Sequence, residues 1–250
     1  MASILHRSRR LVYQVVATPR VKTVALRVHR DGTVEVRAPR SVKQAQVRRL
    51  VARRADWIVE RQRYFLDLLR RNPGKELKNG ESFPLFGRNH RLMIESRPGV
   101  ETPFCRSEAR RLRVFVDGQS KEVVWSAIRG WYSALTEKKV ITALRTHAPA
   151  LSVKPGRLRI VDQAQRWASC AKTGDIRCNW RLAMMPGPVL EYVVVHELCH
   201  LRTPNHSVNF WRLLKSVLPD YEKRREWLKR NGPGLALTME RRQTGVVASH

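Results

Sequence analysis

Long apolar runs are missing from this 250-residue sequence. None approaches the ~20 residues that cross a bilayer, so no transmembrane segment is expected. Cysteine is scarce: Cys105, Cys170, Cys178 and Cys199 stand at irregular spacings. That argues against a secreted, disulfide-built scaffold and points to a reducing cytosol. Acids are also few, 21 against 49 lysines and arginines, for a formal net charge of +28. Such a surface attracts polyanions, which makes nucleic acid a candidate partner. No recognised nucleic-acid-binding motif accompanies the charge, and a solvated basic surface explains it equally well. What is present is a 42% hydrophobic fraction, enough for a core in one domain or two small ones. A monomer is expected.

Residues 1–30 carry seven basic side chains (Arg7, Arg9, Arg10, Arg20, Lys22, Arg27, Arg30) and no acid, the composition of a transit peptide. Tyr13–Val16, Val24–Val28 and Thr33–Val36 are nevertheless rich in β-branched residues, and Asp31-Gly32 is a tight-turn signal. The region therefore reads as strands, with about the first ten residues as a loose tail. A single long helix is expected from about residue 42 to Arg71, capped near Ser41. Its apolar positions Val47, Leu50, Val51, Ala55, Ile58, Phe65, Leu66 and Leu69 recur at helical spacing.

Residues 83–116 read as short strands with a polar loop over 98–111, and a second helix is expected over Lys121–Thr146. Three strands follow: Arg157–Val161, Arg166–Ala171 and Ile176–Trp180, the last two joined through Lys172-Thr173-Gly174-Asp175. A helix starts near Pro188, where proline and the early acid Glu191 suit a helix N-terminus. Two more helices span Ser207–Leu218 and Pro219–Arg230, stopped by Asn231-Gly232-Pro233-Gly234.

The Pro188 helix carries His196-Glu197-Leu198-Cys199-His200. Histidines four apart lie one turn apart on one helix face, so both imidazoles can reach one cation. Glu197 flanks that face and is free to take a proton from a water that zinc has acidified. A catalytic zinc site needs a third protein ligand and an open position. His206 stands six residues after His200, the spacing of HExxHxxGxxH zinc peptidases. Thr203 occupies the glycine position, so Pro204 and Asn205 must make the bend. Chance supplies HExxH in about one such chain in 70, and HExxH with His206 in about one in a few thousand. Cys199 points some 100° away from His200 and reads as a buried thiol.

Arg166-Trp-Ala-Ser-Cys170, Gly174-Asp-Ile176, Asn179-Trp-Arg-Leu182, Tyr192 to Leu201 and Asn205-His-Ser207 with Phe210-Trp211 together resemble the YgjP-like metallopeptidase family, a relative of the SprT-like proteases. Asp31 to Pro39 resembles the N-terminal strands of that family more weakly. Ala168 and Cys199 depart from it, where glycine and alanine are usual. The resemblance implies metal ligation by His196, His200 and His206, with Glu197 as general base and a peptide or protein substrate. Arg166, Asn179 and Tyr192 are candidates for substrate or transition-state contacts, and an edge strand near them could pair with an extended peptide. Trp167, Trp180 and Trp211 read as core, and Cys170 and Cys178 as buried thiols.

The expected fold is α+β. A zincin-like catalytic domain over residues 119–231 carries the HExxH helix on a small, mostly antiparallel sheet. A β-rich region with the long helix precedes it over 11–118, and a tail follows over 232–250. The expected function is zinc-dependent hydrolysis, of peptides first. The alternatives are a nucleotide or phosphate hydrolase, and a nucleic-acid-associated SprT-like protease.

Overall fold

The computed structural model describes residues 1–18, 23–29, 31–71, 73–118, 120–163 and 166–237. They divide into two compact units, Met1–Gly74 and one beginning at Lys75.

In the first unit, strands β1 (Ala2–His6), β2 (Arg9–Ala17), β3 (Ala25–Val28) and β4 (Val34–Ala38) form a sheet in the order β1-β2-β4-β3. The expected loose tail is instead a hairpin. β1 pairs antiparallel with β2 around Arg7 and Ser8, both at positive φ, the backbone of a two-residue hairpin turn. Ile4, Leu11 and Tyr13 face inward from it and are buried, which is what orders so short a strand. β3 and β4 pair antiparallel. Between them Gly32 has a φ of 82°, and the Asp31 carboxylate accepts from the Thr33 N–H and hydroxyl at 3.0 and 2.7 Å. Arg20, Lys22 and Arg30, counted above among the basic residues, lie outside the described residues.

The expected single helix is two, α1 (Gln44–Arg53) and α2 (Ala55–Arg71). It begins at Lys43 rather than Ser41, where the Lys43 N–H donates to Gln46 Oε1 at 3.2 Å. The break has a geometric cause. Val47, Val51 and Ala55 step by four and so drift around a helix of 3.6 residues per turn. The Arg54 N–H bonds both Leu50 and Val51 carbonyls, tightening the turn and returning Ile58 and Phe65 to the same core.

The second unit holds β5 (Ser82–Leu85), β6 (Arg88–Ser96), β7 (Phe104–Glu108) and β8 (Arg111–Val116), in the sheet order β5-β6-β8-β7. The expected polar loop over 98–111 contains β7. It is an edge strand whose register is set by pairing with β8, with Phe104 stacked on Phe115 at 4.7 Å and Arg106, Ser107 and Glu108 exposed. The helix α3 (Lys121–Ala150) follows. Phe83, Leu92 and Leu112 share one core with Val124, Ile128 and Tyr132 of α3. The boundary expected at 118/119 therefore falls inside this unit.

Next come β9 (Leu158–Val161), β10 (Ala168–Cys170), β11 (Ile176–Asn179), a 3₁₀ turn (Trp180–Met184), α4 (Gly187–His200), α5 (Val208–Val217) and α6 (Tyr221–Leu237). The sheet order is β10-β11-β9. β10 and β11 are antiparallel, but β9 runs parallel to β11, so this sheet is mixed rather than mostly antiparallel. α6 does not stop at Asn231; it continues through Pro233 to Leu237. Gly232 is there for close approach, since a Cβ on it would stand 3.2 Å from Trp167 Cζ2. The expected tail thus loses its first residues to α6, and 238–250 lie outside the described residues. No helix among the described residues is long and apolar enough to cross a membrane.

α4 is buried over most of its surface, with Val189, Val193, Val194, Val195 and Leu198 in one core with Ala168, Ile176, Cys178, Phe210 and Leu214. A helix apolar all round belongs in the centre of a fold. Its one exception near the start is Glu191, which accepts from His147 Nε2 of α3 at 2.8 Å and from Arg224 Nη1 of α6 at 2.5 Å. Burial pushes the Glu191 carboxyl up, but these two hydrogen bonds outweigh it and leave it below its ordinary value. A depressed carboxyl stabilises the fold above the unfolded-state pKa, and that stabilisation is lost as pH falls through the folded one. Glu191→Ala should therefore destabilise the protein by about 1–3 kcal/mol near neutral pH. The difference from the parent should shrink at about pH 3, read from denaturant titrations at both.

Candidate metal centre

α4 delivers His196 and His200 from its last turns. The end of the helix then turns back on itself: the Arg202 and Thr203 N–H groups both donate to the Cys199 carbonyl, at 3.1 and 2.9 Å. Neither Thr203 nor Asn205 has a positive φ. The bend is made by Pro204 stopping the helix and by the Ser207 N–H closing on the Asn205 carbonyl at 2.8 Å. No glycine is needed, because no residue here enters the left-handed region.

The bend brings His206 back to the other two. One ring nitrogen from each of His196, His200 and His206 lies within 4.8 Å of the others. His196 Nε2 and His206 Nε2 are 3.0 Å apart. Two ligand nitrogens in a tetrahedral set with metal bonds of about 2.0–2.1 Å stand about 3.3 Å apart, so this spacing fits a shared cation. His200 Nδ1 donates to the Thr203 carbonyl at 3.3 Å, which leaves its Nε2 lone pair free for a metal. Burial, then the neighbouring His200 and His206, push His196 down to about 3, and burial lowers His200 as well. Both rings are kept neutral, the form that ligates. His196 Nδ1 is buried with no hydrogen-bond partner. Asp220 and Glu226 are engaged elsewhere, with Arg224 and Arg230.

Glu197 is buried, 8% exposed, against the edge strand β10. Burial pushes its carboxyl up to about 7, against the Cys170 backbone N–H, which hydrogen-bonds it, and the nearby Arg166 charge. A carboxylate so poised can both take and return a proton near neutrality. Cys199 is wholly buried and pushed by that burial up to about 12, an inert packing group.

The remaining sequence candidates separate. Asn179 is buried and its amide is fully committed. It donates to the Gln163 and Arg166 carbonyls at 2.7 and 3.2 Å and accepts from the Arg181 N–H at 3.0 Å. It braces the segment before β10 and caps the 3₁₀ turn, with no N–H left to donate to an oxyanion. Tyr192 packs edge-on against the His196 ring at 5.9 Å. Arg166 is exposed, with its charge felt at Glu197. Cys170 and Cys178 sit at diagonal positions of the β10–β11 pair and are both free. Trp180 is core, as expected.

Trp211 is not core. Its half-buried ring stands 5.7 Å from the His206 ring and 5.6 Å from the Tyr221 ring, nearly parallel to both. The exposed Arg225 guanidinium lies 4.7 Å from the Trp211 centroid. Neither Arg225 nor Tyr221 was legible as part of the site. They lie on a separate helix, and the only sequence sign is their i,i+4 spacing on α6.

Among known families, the model described as the YgjP-like metallopeptidase domain matches residues 22–231. Among solved structures, the crystal structure of the metallopeptidase zymogen of Pyrococcus abyssi abylysin is 26% identical, with 40% of this chain and 99% of that chain covered. Its TM-score is 0.33, too low to carry an argument about the fold. No curated protein matches.

Proposed function

This chain belongs to the YgjP-like metallopeptidase family, and from that premise we propose that it is a zinc-dependent peptidase using Glu197 as general base. The observation that carries this reading is the convergence of three imidazoles beside one buried carboxylate. Bound by His196, His200 and His206, zinc would acidify water and polarise the scissile carbonyl. Glu197 takes the proton of the attacking water and passes it to the leaving amine. The Cys170 N–H holds the carboxylate in place for both transfers. β10, at the edge of its sheet, offers backbone to an extended peptide alongside Glu197. Tyr192, against His196, is the better-placed candidate to support the developing oxyanion. Four free cysteines fit a reducing compartment, and we place the protein in the cytosol.

Chelation tests the reading. Purified protein assayed on a mixed peptide pool should lose its hydrolysis on removal of metal and recover it with stoichiometric zinc. A parallel panel of nucleoside triphosphates and phosphoesters should remain uncut. Peptide cleavage that survives chelation, or zinc-dependent cleavage of the phosphate panel alone, would overturn it.

A further inference from the structure

One cation beside the three imidazoles has no acid paired with it among the described residues. Arg225 forms no ion pair among the described residues, although three acids stand near it in sequence. Asp220 holds Arg224, Glu226 holds Arg230, and Glu222 accepts from the Tyr221 hydroxyl. Its guanidinium rests instead on Trp211, at 4.7 Å, and Trp211 stands 5.7 and 6.2 Å from the His206 and His196 rings.

A permanent cation one indole ring away from a centre built for a divalent cation repels it unless an anion offsets the charge. Stacking on an indole face also leaves the edge N–H groups of a guanidinium pointing outward. That rigid fork matches a carboxylate in two-pronged geometry and loses little freedom on binding.

We propose that Arg225, seated on Trp211, is a subsite that binds a carboxylate of the peptide substrate next to the scissile bond. That carboxylate is either the chain's own C-terminus or an acidic side chain. The assignment of a peptide ligand rests on the peptidase reading above; the anion site itself rests on Arg225 and Trp211.

Binding is measured by calorimetry on the zinc-loaded Glu197→Gln protein, which separates affinity from turnover. The probes are three acetylated tetrapeptides of otherwise neutral sequence: one with a free C-terminal acid, one C-terminal amide, and one amide carrying an internal Asp. At least one acid-bearing peptide should bind more tightly than the neutral amide, and which one does so identifies the source of the carboxylate. Adding Arg225→Ala should weaken that peptide about 10–100-fold and leave the neutral amide unchanged. Arg225→Lys should recover only part of the loss, since an ammonium lacks the fork. Metal content and Tm are followed in every variant.

Equal weakening of acid and amide peptides would make Arg225 a structural residue and overturn the proposal, as would no weakening at all. If the neutral amide binds and neither acid-bearing peptide gains, the subsite alone is wrong. If no peptide binds, the peptidase reading fails and takes the subsite with it.

Discussion

Glu197→Gln should retain its metal and lose peptide hydrolysis by about 10²–10⁴-fold, the usual worth of a positioned general base. The substitution isolates the proton transfer. The amide oxygen has the shape of the carboxylate and can still accept from the Cys170 N–H, but it cannot take a proton from water. An uncharged group also suits a side chain only 8% exposed, so Tm should not fall. Glu197 is not one of the three ring-nitrogen donors, so zinc stoichiometry should stay at one. The assay is kcat on a cleaved peptide beside metal content by elemental analysis. Full activity with full zinc content would remove Glu197 from the mechanism.

The second large effect is on the metal. His206→Ala should weaken zinc binding by more than the 10–100-fold typical of outer-sphere changes, and activity at limiting zinc should fall in step. His206 suits the test because it is exposed and lies between helices. Its removal opens no cavity, and the chelated variant should melt with the chelated parent. His196 is a poorer probe, since it is half-buried within α4 and its ring packs on Tyr192 of that helix, so truncation would disturb the core as well as ligation. Competition against a chromophoric chelator gives the affinity. Unchanged affinity in His206→Ala would mean that the third ligand is another group.

The sequence made the centre legible because two of its constraints are local. His196 and His200 share a face by helix periodicity alone, and Glu197 must flank that face. The positions of most strands and helices followed in the same way from periodicity and turn residues, as for β4, β11, α3 and α5. Where the reading failed, long-range contact had overridden local signal. β1 is ordered by burying Ile4 with Leu11 and Tyr13. β7 is a strand because β8 pairs with it. α6 passes its Gly-Pro-Gly because Gly232 lies against Trp167.

The site divides along the same line. Three of its chemical groups, His196, Glu197 and His200, were determined by the sequence itself, since a single helix turn fixes their relation. His206 was legible as a spacing, but its return to the other two imidazoles depends on a bend closed by Cys199, Pro204 and Asn205, with no glycine. Tertiary structure alone decided that the Asn179 amide is spent on the backbone at Gln163 and Arg166, which removes it from the chemistry. It alone also set Trp211, Tyr221 and Arg225 beside the imidazoles. The physical reason is reach: backbone periodicity relates residues a turn apart, whereas the partner of a side chain on another helix is chosen only when the helices pack.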